Sequence, residues 1–175
     1  MSFSKLLELE TGGVSQEERQ EELENMEFQV FRMRENMKEI SKKYEIVGID
    51  QTKKDNWVIV FKHAGDDTAQ LMVNDCEAAF RGDWDSCMQL EFKGENTIHI
   101  SDIKGPEDKG YGSILMNHLK DLAKEKNYQY ITGDLAKRDW DHLDRLEHFY
   151  RKHSFYVDID PNNQVGEIIW NGDLI

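Results

Sequence analysis

The chain has 175 residues, a formal net charge of −13 and 38% hydrophobic residues, enough to bury one core of ordinary size, and no stretch approaches the ~20 apolar residues of a membrane-spanning helix. The acidic excess argues against a nucleic-acid partner, because neutralising a phosphate backbone needs a basic surface. Cys76 and Cys87 form neither a C-x-x-C pair nor a disulfide framework, and the N-terminus has no basic segment followed by an apolar run, so the expected compartment is a reducing cytoplasm.

Residues 1–44 form an N-terminal region of the same domain, dominated by one long helix. Leu23, Met26, Val30, Met33, Met37, Ile40 and Tyr44 alternate spacings of three and four, a heptad pattern widened by Phe28 and Phe31. Ser15 suits the N-cap and Glu18 its capping-box partner, which predicts a helix from about 16 to 44, roughly 43 Å long at 1.5 Å per residue. Two uses of the stripe stand open: a helix lying across the sheet, or a homodimer contact with a second copy.

Residues 45–175 follow as the body of the domain. The runs 45–49, 57–61, 70–73, 88–92 and 97–101 read as strands, and the short intervals 53–56 and 93–96 favour antiparallel hairpins. Asp66, Asp67, Asp75, Glu77, Asp83 and Asp85 cluster among them, which fits a solvated acidic surface or the attraction of a cationic amine. The strand 97–103 then enters a loop containing Gly105, Pro106, Gly110 and Gly112, and Ile114, Leu115, Leu119 and Leu122 mark the buried face of a following helix. Free N–H groups of a first helical turn, the positive helix end and Lys109 suit an anion such as a phosphate. The spacing matches neither the loop of nucleoside triphosphatases nor the three-glycine loop of dinucleotide binders.

A short strand at 128–133, an acidic helix start at Asp139-Trp-Asp141, a helix through Leu146 to His153 and a hairpin of 155–160 with 165–170 complete the chain. His142, His148 and His153 are six and five residues apart and fall on different helix faces, so no metal site is implied.

Glu107-Asp108-Lys109-Gly110-Tyr111-Gly112 resembles the Q/R-x-x-G-x-G/A pyrophosphate loop of the GCN5-related N-acetyltransferase (GNAT) family, and Phe149-Tyr150 with Phe155 is similar to that family's second signature. The resemblance covers roughly residues 97 to 171. It implies an α/β fold with a mixed, mostly antiparallel central sheet flanked by helices, and acetyl-coenzyme A-dependent acetylation of a primary amine on a small-molecule or peptidic acceptor. Lys109, Gly110, Tyr111, Gly112 and Ser113 would hold the cofactor's pyrophosphate, a backbone N–H near Ile103 or Lys104 would serve the oxyanion, and Tyr150 would protonate the leaving thiolate. Glu107 stands where the family usually has Gln or Arg, and Ser154 where it has Gly. For the general base, Asp102 and His99 are the candidates, beside Glu91 and a water chain. His99 has the intrinsic pKa best suited to the task, near 6.5. Alternation puts Ile98 and Ile100 on one face and His99, Ser101 and Ile103 on the other, so His99 faces the groove or packs beneath a helix. A noncatalytic scaffold that dimerises through its N-terminal helix is the alternative reading.

Overall fold

In the computed structural model, which describes residues 13–174, the first helix, α1 (Gln16–Ile40), starts at a capping box. Ser15 Oγ accepts from Glu18 N at 3.1 Å, and Glu18 Oε2 accepts from Ser15 N at 2.7 Å, satisfying two N–H groups that helix geometry leaves unpaired. The first twelve residues of the 1–44 region lie outside the described residues. The helix ends at Ile40 rather than 44, because residues 41–44 wind through a turn that redirects the chain into the first strand, with Tyr44 still packed on Phe61 at 5.1 Å.

Eight strands follow: β1 (Glu45–Gln51), β2 (Trp57–Ala64), β3 (Thr68–Asp75), β4 (Ser86–Lys93), β5 (Thr97–Lys104), β6 (Tyr130–Leu135), β7 (Tyr156–Asp160) and β8 (Val165–Asn171). They make one sheet in the order β1-β2-β3-β4-β5-β6-β8-β7. Every neighbouring pair is antiparallel except β5 with β6. The sheet is mixed and mostly antiparallel, as expected. A hairpin meander makes the first half, and the parallel pair requires the crossover helix α2 (Tyr111–Glu125).

Strand alternation sorts the core into two clusters. Val58, Val60, Leu71, Met88, Ile98 and Ile100 pack against Ile114, Leu115 and Leu119 of α2 and against Tyr150 of α3 (Leu143–Lys152). Ile59, Phe61 and Met72 face the other way, toward Met33, Met37 and Ile40 of α1. Residues 58–61 of β2 are therefore all buried, as befits a strand covered on both faces. The heptad stripe of α1 divides: its C-terminal part covers the sheet, while Leu23, Met26 and Val30 are 57, 60 and 57% exposed.

Asn36 fixes the direction of this helix. Its Nδ2 donates to Asn74 Oδ1 and to the Ala78 carbonyl, both at 2.9 Å, and its Oδ1 accepts from Phe80 N at 2.9 Å. Those partners lie at and just beyond the C-terminal end of β3. Because β3 and β5 are both antiparallel to β4, that is also the end where β5 finishes and α2 begins. Tyr44 sits toward the opposite end, beside Phe61 and His63, so the N-terminal part of α1 leaves the sheet at the end where β5 gives way to α2.

The face assignment expected for Ile103 is corrected by a β-bulge. Leu90 pairs with Ile100 but Gln89 pairs with Asp102, leaving Ser101 as one surplus residue in β5. Alternation restarts after it: Ile103 joins Ile98 and Ile100 on the α2 and α3 side, where it packs on the core, and Asp102 takes the side of His99. Beyond the bulge the parallel ladder also stops, since β5 meets β6 only from Thr97↔Tyr130 to Ile100↔Gly133. Residues 101–104 therefore have no strand on their β6 side, and β6 continues to Leu135 paired with β8 alone.

Candidate active site

The gap between β5 and β6 opens into a cleft of about 670 Å³ that reaches the start of α2 and one side of α3. At the start of α2 the cleft is lined by backbone. Gly105 has φ +136°, and a Cβ there would lie 2.8 Å from Ser86 Cβ and 2.9 Å from the Asp85 carbonyl oxygen, so the turn out of β5 admits only glycine. Gly110 is the N-cap of α2 in the left-handed region (φ +78°), with no side chain capping the helix and no acidic residue in its first turn. The first intrahelical acceptor is used by Ile114 N, which donates to the Gly110 carbonyl at 3.3 Å. The N–H groups of Tyr111, Gly112 and Ser113 are thus free of the helix ladder at its positive end.

The loop side chains divide among different tasks. Gly110, Gly112 and Ser113 line the cleft, and Ser113 Oγ is also bonded to His153 Nε2 at 3.0 Å, which pins the last turn of α3 to the first turn of α2. Tyr111 turns into the core: it is 3% exposed, and its Oη donates to Asp75 Oδ2 at 2.5 Å. Burial first, and then the Asp75 carboxylate, push its phenol well above the ordinary tyrosine range. Lys109 is exposed and stands off the cleft wall. Glu107, on the wall, is ion-paired with Arg145 of α3, so an arginine borne by a different element offsets the carboxylate beside the bare helix end.

Tyr150 lies at the cleft wall with 7% exposure, wedged between Phe149 and Phe155 at ring distances of 5.3 and 5.5 Å. Burial, with the Asp139 and Asp102 carboxylates adding to it, pushes its pKa up to about 12. Among the described residues its hydroxyl has no hydrogen-bond partner. Asp102, Ile103 and Lys104 also line the cleft, and the Asp102 carboxylate lies 3.6 Å from Lys104 Nζ. Ser101 Oγ, at the bulge, is enclosed and without a partner among the described residues. His99 is placed elsewhere. Its Nδ1 lies 2.9 Å from Thr132 Oγ1 and its Nε2 3.3 Å from Asp134 Oδ2, and it is absent from the cleft lining. Glu91, opposite it on β4, is exposed on the same face.

Two wall residues were not among the expected site residues. Asp139 Oδ2 accepts from Ala136 N at 2.7 Å and caps the short 3-10 segment that leads into α3. Asp50, at the end of β1, reaches the cleft and lies 3.3 Å from Nε2 of His118 on α2. Local patterns do not join positions so far apart in the chain. The six acids that cluster in sequence do not gather at the cleft. Asp75 binds Tyr111, Asp85 Oδ2 accepts from Asp75 N at 2.7 Å, and Glu77 accepts from Asn56 Nδ2 at 2.5 Å. Asp66 and Asp67 sit in the β2–β3 turn at the other end of the sheet. Cys76 and Cys87 are free thiols, both buried, and burial pushes Cys76 to about 12. Among the described residues no group of three or more His, Cys, Asp or Glu could hold a metal ion, and no helix is long and apolar enough to cross a membrane.

No protein-family model matches the chain. It is 48% identical over 156 residues to the uncharacterized protein YocC of Bacillus subtilis (strain 168), covering 89% of this chain and 94% of that protein. Among solved structures, the GNAT domain of S. lividans PAT superposes with a TM-score of 0.57 at 7% identity, over 71% of this chain and 96% of that one. A looser likeness, with a TM-score of 0.46 at 13% identity, links 60% of this chain to 76% of a GNAT family acetyltransferase from Elizabethkingia anophelis with acetyl-CoA bound. The fold assignment rests on the first of these structures.

Proposed function

We propose that this chain, which belongs to the same family as Bacillus subtilis YocC and has the GNAT fold, is an acetyl-CoA-dependent N-acetyltransferase acting on a primary amine. The observation that carries the reading is the join of an uncapped, acid-free helix start at Gly110 to a gap between β5 and β6 that has Tyr150 on its wall. The chain's groups fit the cofactor's chemistry. Backbone N–H groups of Tyr111, Gly112 and Ser113 suit a pyrophosphate, and the unladdered edge of residues 101–104 with the orphaned Ser101 Oγ suits an amide-bearing arm. When bound, acetyl-CoA supplies a thioester carbonyl as the electrophile.

Tyr150 keeps its proton throughout the neutral range and, unshared with any described side chain, is free to donate toward negative charge on a departing sulfur. Asp102 is assigned the proton-accepting role rather than His99, because Asp102 lines the cleft and His99 is engaged with Thr132 and Asp134 outside it. Backbone N–H groups near Ile103 and Lys104 remain the oxyanion donors of choice, since the β6 side of that segment has no ladder.

Titration calorimetry of acetyl-CoA into the purified chain tests the reading, with Gly110→Trp as a control whose folding is checked by circular dichroism. Saturable binding that disappears in a folded control supports it; no heat at millimolar ligand overturns it. A noncatalytic scaffold on the same fold is the second reading, favoured by the exposed part of α1. Cofactor binding without turnover of any amine would select it.

A further inference from the structure

Residues 16–31 of α1 are exposed along their whole length and extend for roughly 24 Å at 1.5 Å per residue. An arm of this kind is ordinarily polar all round. This one carries Leu23, Met26, Phe28, Val30 and Phe31, each between 53 and 60% exposed. At roughly 170–200 Å² for a large apolar side chain, they present on the order of 500 Å² of apolar surface. Leu23, Met26 and Val30 share one face of the arm, Phe31 borders that face and Phe28 extends the apolar surface around the helix, so the total equals the largest patch on most monomers.

Charge identifies the occupant. From Gln16 to Glu27 the arm bears Glu17, Glu18, Glu21, Glu22, Glu24 and Glu27 against the single cation Arg19, whereas from Phe28 to Lys38 it bears Arg32, Arg34 and Lys38 against Glu35. Arg32 and Arg34 lie over the Phe28 and Phe31 rings at 5.2 and 5.5 Å, so the cations border the apolar patch. We propose that the arm pairs antiparallel with the same arm of a second copy. In that arrangement the glutamate-rich tip of each helix meets the arginine-rich base of the other, and Leu23, Met26 and Val30 are covered mutually, with Phe31 at the edge of the contact. A parallel pair would set glutamates against glutamates and crowd both sheets at one end; an antiparallel pair places the sheets at opposite ends. The inference is independent of acetyl transfer, since it uses no residue of the cleft.

Sedimentation equilibrium of the full chain gives the first test. The expected mass is that of two chains, falling to one chain in Met26→Glu with Val30→Glu, which substitutes only exposed positions, while thermal unfolding of the body is unchanged. Orientation is read by mixing Glu22→Cys and Arg34→Cys chains under oxidation. The Glu22→Cys chain should crosslink to the Arg34→Cys chain in preference to itself. Should the Met26 and Val30 variant fail to fold, Arg32→Glu with Arg34→Glu is expected to weaken the dimer, and adding Glu22→Arg with Glu24→Arg to restore it. A single-chain mass for the unaltered protein, preferred self-crosslinking of Glu22→Cys, or a dimer indifferent to both sets of substitutions overturns the proposal.

Discussion

Replacing Tyr150 by Phe removes one oxygen from the cleft wall and little else. The ring is 7% exposed and held by Phe149 and Phe155, and no described group is left without a hydrogen-bond partner when the hydroxyl goes. Stability should therefore change by no more than about 0.5 kcal/mol. Catalysis should respond differently. With a pKa of about 12, the phenol lies some 3–4 units above a free thiol, so complete transfer of its proton would be uphill by roughly 5 kcal/mol. The phenol's contribution is then that of a hydrogen bond to developing charge, about 1.5–3 kcal/mol, which corresponds to a 10- to 150-fold loss of kcat. Thiol release from acetyl-CoA, followed against a panel of polyamines, amino sugars and peptides, measures that loss. Calorimetry should show acetyl-CoA affinity unchanged within about twofold, and melting should confirm the fold. A folded Tyr150→Phe protein with undiminished kcat, or one that loses cofactor affinity in step with turnover, would refute the reasoning.

The glycines of the loop should separate sharply. Gly105→Ala combines a positive φ with contacts below 3 Å to Ser86 and Asp85 and should cost roughly 2–4 kcal/mol of stability in chemical denaturation. Gly112→Ala, whose Cβ would find only the Phe149 ring at 3.5 Å, should fold and bind acetyl-CoA normally. Arg145→Ala leaves the Glu107 carboxylate unopposed beside the helix start, and calorimetry should show acetyl-CoA affinity falling by about 3- to 10-fold, largely restored by adding Glu107→Gln. His153, 7% exposed, is lowered to about 4 by burial and then by Lys120 and Lys152. Its folded pKa lies below its unfolded one, so its full stability contribution is present above pH 6.5 and is lost as pH falls toward 4, up to about 3 kcal/mol. Unfolding midpoints of His153→Gln should be flatter across that window than those of the unaltered chain.

The elements most visible in the sequence were those written in local patterns: the Ser15 capping box, the hairpin turns at 53–56 and 93–96, and the glycine loop opening an amphipathic helix. What the sequence left obscure depends on pairing between distant residues. Strict alternation put Ile103 beside His99, and only the register against β4 reveals that Ser101 is surplus. Tyr111 resembled a loop residue, yet its phenol belongs to Asp75, thirty-six positions earlier. Glu107 stood out as a departure from the usual Gln or Arg, and its pairing with Arg145 comes from α3, thirty-eight positions later. The end of α1 moved from 44 to Ile40 because an apolar stripe persists through the turn that follows the helix.

The Ser101 bulge has a consequence for the evolution and engineering of the cleft. A single-residue deletion at this position would put β5 back in step with β4 without a bulge, while Asp102 and Ile103 kept their partners Gln89 and Met88 and therefore their faces. The strand would also be free to go on pairing with β6 past Gly133, closing the gap at its root. Substitutions around the cleft can thus accumulate gradually, but its existence depends on one surplus residue within a strand, and the loss of that residue is the mutation it should tolerate least.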